Sequence, residues 1–213
     1  EDEKKIADAI DVWQSGIHKS ILVLGNPLSG KSTFMEKMAK EHFGKQVISL
    51  RPDSEMVVEG RKFKTTKDLG ETLNNVKKSL YNTRPAVLID DLEVWRSKDY
   101  SFLENVQSLL DFLDLETDHV FLIVSISDMM KKHLDNRLSF SDRFSNEINI
   151  GQADFNTIYK AILLRNGASH RILVDEKETA LTDKKIEQNV RRLCKTLDYN
   201  LGEVLQAWTY GTT

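Results

Sequence analysis

Cysteine is almost absent: Cys194 stands alone among 213 residues. An internal disulfide framework and a thiolate zinc cluster are therefore excluded, and the usage agrees with a reducing compartment. Proline and glycine are scarce, at three and ten residues, which predicts long elements joined by short loops. No apolar run approaches the ~20 residues that span a bilayer; the longest, His119 to Ile126, is the size of a strand. Neither sign of charge dominates. Thirty Lys and Arg face 33 Asp and Glu, giving a formal net charge of −3 and a pI near 6.0. A chain that traps polyanions by bulk charge is far more basic, so any DNA contact must come from a local patch, with Lys131, Lys132 and Arg137 the candidates. The five histidines are scattered, with no i, i+4 pair to hold a metal. The chain opens on Glu1-Asp2-Glu3-Lys4-Lys5, without an initiating methionine or a secretory signal. It is expected to be a soluble, cytoplasmic piece with no membrane span of its own, and the other domains of a longer polypeptide are among its expected partners.

What is present is patterned. With 40% hydrophobic and 30% charged residues the chain can bury a core, so disorder is excluded as the main reading. Ile6, Ile10 and Trp13 keep helical spacing up to Gly16. Ser20 to Gly25 is a short apolar run ending in glycine, as buried parallel strands do. A helix is predicted from Lys31 to His42, a strand over Gln46 to Leu50, and a helix from Thr66 to Tyr81. Pro85 introduces the apolar strand Ala86 to Ile89; a helix over Phe102 to Leu115 and a strand over Val120 to Ser127 follow. Met129 to Leu138 is read as helix and Glu147 to Ile150 as a fifth strand. Strands alternating with helices predict an α/β fold, a parallel sheet with helices on both faces. Beyond Gly151 only helical spacings occur, in Phe155 to Leu163, Ile186 to Leu197 and Leu201 to Trp208. Two domains are therefore expected: an α/β domain over residues 1–152 and a small helical domain over residues 153–213.

Gly25-Asn26-Pro27-Leu28-Ser29-Gly30-Lys31-Ser32 fits G-x-x-x-x-G-K-[ST] at every fixed position, between a strand and a helix as the motif requires. Its glycines let backbone N–H groups curl around phosphate, Lys31 brings a cation to the β and γ oxygens, and the Ser32 hydroxyl suits Mg²⁺. Gly25 to Thr33 is the expected nucleotide-binding segment. The second feature is Asp90-Asp91 at the end of a buried strand. There, the first acid can hold Mg²⁺ through water while the second polarises an attacking water, with Glu93 next in line as base.

Taken together, these features resemble an AAA+ P-loop ATPase with its C-terminal lid, and the nucleotide-binding modules of STAND signalling ATPases share that plan. The two motifs correspond to Walker A and Walker B. The resemblance covers nearly the whole chain and implies a five-stranded sheet of order 5-1-4-3-2, ATP as ligand, Mg²⁺ as metal, and hydrolysis to ADP. It also implies a polar γ-phosphate sensor at the end of the fourth strand, where Ser127 matches and Asp128 is next; the alternative is a serine that only caps the following helix. An arginine before the fifth strand is implied to reach a neighbouring subunit's nucleotide, which makes a homo-oligomer a candidate assembly. Arg143 matches, Arg137 is the runner-up, and a solvated surface arginine is the other reading. Arg143 is expected at the sheet's carboxyl-terminal rim. Two departures point to slow turnover or a binding switch: Asp91 where AAA+ machines place Glu, and Gly202 where a lid arginine is expected. The competing readings are a DNA-associated AAA+ ATPase of the initiator or transposition-helper kind and a small-molecule kinase. No N-K-x-D motif marks a GTPase, and no LSGGQ-like signature marks an ABC-type ATPase.

Overall fold

The structure, a computed structural model, describes residues 2–58, 60–80, 83–96, 101–116, 118–169, 173–174 and 179–211. Two compact units emerge: residues 1–25 with 31–149, and residues 26–30 with 150–213.

The first unit is built on strands β1 (Ser20–Leu24), β2 (Val47–Leu50), β5 (Ala86–Ile89), β6 (Phe121–Ile126) and β7 (Asn146–Asn149). They hydrogen-bond in the order β2-β5-β6-β1-β7, and every pairing is parallel. Counted among these five alone, that is the expected 5-1-4-3-2. Strands β1, β5 and β6 are buried along their whole length, the signature of a sheet covered on both faces. The helices that accompany them are α1 (Asp2–Gln14), α2 (Lys31–Phe43), α3 (Leu69–Ser79), α4 (Phe102–Glu116) and α5 (Asp128–Leu138). Helix α1 buries Ile6, Ile10 and Trp13, and Trp13 meets Phe43 and Phe121 with ring centroids 5.8 and 5.5 Å away. Because β1 connects to β2 across two intervening strands, β6 and β5, the carboxyl ends of β1, β5 and β6 open beside a topological switch, where α/β folds bind ligands.

Two features depart from the sequence reading. A hairpin, β3 (Glu55–Val58) with β4 (Arg61–Lys64), lies between β2 and α3. Its inward residues Met56 and Val58 are buried, and Gly60, with φ 81°, takes a left-handed conformation at the turn. Helix α3 also begins later than expected, at Leu69, because the Asp68 side chain accepts from Glu71 N and caps it. The expected end at Tyr81 lies outside the described residues. Among the described residues no helix is long and apolar enough to cross a membrane.

The second unit comprises α6 (Phe155–Ser169), α7 (Asp183–Thr196) and α8 (Leu201–Gly211). Ile158, Ile162, Val190, Cys194 and Val204 are fully buried in its core and Ile186 and Trp208 nearly so. The Asn200 side chain accepts from Glu203 N at 3.2 Å and caps α8.

In the first unit, buried Asn105 holds three backbone groups: its Oδ1 accepts from Leu69 N at 2.9 Å, and its Nδ2 donates to the carbonyls of Lys67 at 2.9 Å and Trp95 at 2.8 Å. Asn105→Ala strands all three. It is predicted to destabilise the protein by about 2–4 kcal/mol, read as a lowered urea midpoint at unchanged slope.

Candidate phosphate-binding site

Strand β1 delivers the chain to Gly25, and α2 takes it up again at Lys31. Gly30 has φ 101°, a conformation that side-chain-bearing residues rarely adopt, and a Cβ there would meet nothing within 4 Å. The glycine is therefore required by backbone conformation and not by space. Leu28 is also left-handed, at φ 62°. The Lys31 ammonium folds back into the loop it closes: Nζ donates to the Gly25 carbonyl at 3.0 Å and lies 3.5 Å from Asp91 Oδ1. Only 5% of its side chain is exposed. The first turn of α2 carries no acidic side chain, which leaves its positive dipole end to an incoming anion. Among the described residues the buried Ser29 hydroxyl has no hydrogen-bond partner, and a phosphate oxygen would supply one. Half-buried Ser32 and exposed Thr33 line an open cavity of about 390 Å³ with Glu36, Lys37, Lys40 and Arg51.

The acids stand at the end of β5, on the neighbouring side of β6. Ser125, fully buried inside β6, joins them: its hydroxyl donates to Asp90 Oδ1 at 2.9 Å and accepts from Asp91 N at 2.8 Å. Asp91 sits at φ 45° and ψ 73°. This left-handed turn brings its carboxylate towards Lys31. Asp90 is 14% exposed, and its Oδ2 lies 3.9 Å from Arg51. Arg51 is set in place by the foot of the hairpin, where Thr65 Oγ1 donates to the Arg51 carbonyl at 2.5 Å and accepts from Ser54 N at 2.9 Å. Burial holds the Asp91 carboxyl above its ordinary range; Lys31 pulls in the other direction, and Asp90 and Glu93 push it up further.

Lys31, Asp90 and Asp91 are thus brought together, with Ser32 at the head of the same helix. Ser127 Oγ accepts from Met130 N at 3.2 Å and caps α5, the second of its two readings, while its peptide N–H donates to Glu93 Oε1 at 2.6 Å. Arg143 closes a 3-10 turn (Ser141–Arg143) whose flanking Phe140 and Phe144 are buried. Its location corrects one expectation. The turn leads into β7, whose Asn146 pairs with Ile21 near the start of β1, so Arg143 stands at the sheet's amino-terminal rim, not the carboxyl-terminal one. There it is ion-paired with Asp114 near the end of α4. Sequence reasoning missed Ser125 and Arg51. The only sign of Ser125 is one hydroxyl inside an otherwise apolar strand.

No group of three or more His, Cys, Asp and Glu side chains is gathered for a metal among the described residues. A phosphate-bound Mg²⁺ does not need one, since a hydroxyl and a water-bridged carboxylate suffice. Ser32 and Asp90 fit that donor set.

The model of a family described as ATPase family associated with various cellular activities (AAA) matches residues 21–152. No curated protein matches the sequence. Among solved structures, C. elegans PCH-2 resembles 99% of this chain over 61% of its own length, with a TM-score of 0.57 and 14% identity. The ORC2 protein of Aeropyrum pernix, solved in ADPNP-ADP complexes, resembles 78% of this chain over 50% of its own, with a TM-score of 0.55 and 11% identity. At such identities the likeness is one of fold. The chain spans less than two thirds of either neighbour's length.

Because its folded pKa is raised, Asp91 contributes stability that is fully present below its unfolded pKa and is lost as pH rises through the folded value. Its carboxyl carbon, followed by NMR, is predicted to titrate above the ordinary aspartate range. Lys31→Met should move the midpoint higher still, because the ammonium lowers it; a downward move would contradict the assigned contact.

Proposed function

This chain belongs to the AAA family of ATPases, and on that premise we propose that it is an ATP-binding, slowly hydrolysing module that acts as a nucleotide-dependent switch within a larger protein or oligomer. The observation that carries the reading is the buried Lys31 ammonium, folded into a glycine-bounded loop beside Asp91. In this proposal residues 1–152 form the nucleotide-binding domain and residues 153–213 its lid. The backbone of Gly25, Asn26, Pro27, Leu28, Ser29 and Gly30 cradles phosphate, Lys31 neutralises it, and Ser32 and Asp90 hold the metal, with Thr33 beside them. Mg²⁺, when bound, supplies charge neutralisation across the phosphates. Asp91 orients the attacking water and accepts its proton at the carboxylate, and Ser125 keeps Asp91 in register with Asp90 through a single hydroxyl.

Two features support slow turnover. Asp91 is one methylene shorter than the glutamate common in this family's machines, and Glu93, the spare acid, is engaged by the Ser127 N–H. Assembly extends the proposal, with Arg143 completing a neighbour's site. Its side chain is 39% exposed and its pair with Asp114 is a surface pair, of a kind worth only about 0–1 kcal/mol, which a phosphate could replace.

Three mutants test the site. Lys31→Ala removes a charge-assisted contact and should weaken ATP binding roughly 10- to 100-fold in calorimetry. Equal affinity would defeat the assignment. Asp90→Asn should weaken the Mg²⁺-dependent part of binding, whereas Asp91→Asn should spare binding and slow single-turnover hydrolysis.

Assembly is tested by mixing. An arginine supplied in trans is worth about 10³ or more in rate, so Arg143→Ala should lower turnover, and adding the Lys31→Ala protein should restore it. Activity independent of concentration and of Arg143 would mean that one chain is complete.

A further inference from the structure

The phosphate-loop segment Asn26–Gly30 packs as part of the helical unit, and two groups at the entrance of α8 grip it. Asn200 Nδ2 donates to the Pro27 carbonyl at 3.0 Å, and Gly202 N donates to the Leu28 carbonyl at 3.0 Å. Two consecutive carbonyls are thereby drawn towards the same helix entrance. A trans peptide points its C=O and N–H in opposite directions, and no cis bond occurs among the described residues. Holding Pro27 O outward therefore turns Leu28 N–H away from α8, and holding Leu28 O outward does the same to Ser29 N–H. The latter donates at 3.2 Å to Asn26 O, across the loop. Successive N–H groups facing one side of a left-handed turn form an anion-binding concavity. Leu28, at φ 62°, supplies the turn, and Ser29 adds a buried hydroxyl that has no partner among the described residues.

The grip needs a glycine at position 202. A Cβ there would stand 2.5 Å from Leu28 O and 2.7 Å from Leu28 Cβ, and the nearer of these is backbone that no rotamer change can move aside. Gly167 and Gly211, in the other helical positions of the unit, would meet nothing within 4 Å. The close approach is confined to the helix turn that touches the loop.

We propose that Asn200 and Gly202 are positioning residues for phosphate: they hold the Pro27 and Leu28 carbonyls outward and so preset the Leu28 amide for the anion, beside the Ser29 hydroxyl and the turn that Ser29 N–H closes onto Asn26 O. The proposal rests on the nucleotide-binding reading above. It also gives the unexpected glycine in α8 a role: close approach to the loop takes the place of a charged side chain reaching the nucleotide.

Asn200→Asp separates positioning from stability. Aspartate keeps the oxygen that caps Glu203 N and loses the donor to Pro27 O. The experiment compares wild type, Asn200→Asp, Gly202→Ala and the control Gly211→Ala by ATP and pyrophosphate calorimetry, amide NMR and urea unfolding. Asn200→Asp and Gly202→Ala are expected to bind both ligands about tenfold more weakly, the scale of one lost hydrogen bond. They should shift the Leu28 and Ser29 amide resonances while keeping the unfolding midpoint of the control. Should Gly202→Ala unfold, Asn200→Asp decides. Wild-type affinity and unshifted Leu28 and Ser29 amides in Asn200→Asp would overturn the proposal while leaving nucleotide binding intact. Failure of wild type itself to bind ATP would overturn the nucleotide-binding reading instead, and this proposal with it.

Discussion

An ammonium group buried to 5% exposure at the mouth of a parallel sheet has lost most of its hydration, a loss that costs several kcal/mol unless neighbouring groups replace the water. Lys31 imposes that demand on everything around it. The Gly25 carbonyl meets part of it, which requires the loop to double back after β1, and Asp91 meets another part. Asp91 does so from φ 45°, a conformation that costs of order 1–3 kcal/mol for a non-glycine residue. The strain is held in place because Asp91 N is tied to Ser125, inside the strand next door. An anion arriving at the loop adds to the neutralisation that Lys31 requires, so electrostatic need and binding function point in the same direction.

The scaffold is stiff where this chemistry needs it. The site's fixed groups hang from β1, β5 and β6, which are buried throughout, and their carboxyl ends are adjacent by virtue of sheet order. Ser125 exploits that adjacency. Register pairs Ile89 with Val124, so the next residue on each strand, Asp90 and Ser125, meet across the ladder. A single hydroxyl, acting once as donor and once as acceptor, then fixes two carboxylate-bearing residues. Removing it would take that partner from the partly buried Asp91 N–H and from an Asp90 carboxylate oxygen, a loss that costs free energy wherever water does not replace it.

How much of this was legible in the sequence depended on the range of the interaction. Strands β1, β5 and β6 announced themselves as continuous apolar runs, and the phosphate loop as a fixed spacing of glycines and lysine; both are local signals. The sheet order came through resemblance, and the structure has it. The hairpin went unread because its buried face is only Met56 and Val58 with partly buried Phe63, too short for a period-2 signal among charged neighbours. Ser125 was invisible for another reason: its meaning lies in a cross-strand partner 35 residues away, which no local pattern encodes. The rim that bears Arg143 was misjudged because a residue preceding a parallel strand stands at that strand's start, and the register with β1 makes this concrete. Of the two readings of Ser127 the helix cap is seen, its Oγ accepting from Met130 N; the sensor role, which would use the O–H as donor, stays a proposal.

The proposed slow turnover follows from weighing reach against basicity at Asp91. Burial and the neighbouring carboxylates raise its pKa while Lys31 opposes them, and burial leads. A raised pKa makes a stronger base, but Brønsted scaling returns less than a proportional gain in rate for each step in basicity, and general-base catalysis contributes about 10²–10⁴-fold altogether. Position is less forgiving: a displacement of about 1 Å can cost 10²-fold, and replacing glutamate by aspartate withdraws a carboxylate by roughly one C–C bond. The left-handed backbone of Asp91 also commits that short side chain towards Lys31, at 3.5 Å, and so limits how far it can reach for water. Basicity and reach therefore oppose one another at Asp91, and the proposed slow turnover takes reach as the deciding factor. In the proposed switch, such a site would leave its triphosphate uncleaved for longer than a motor's would.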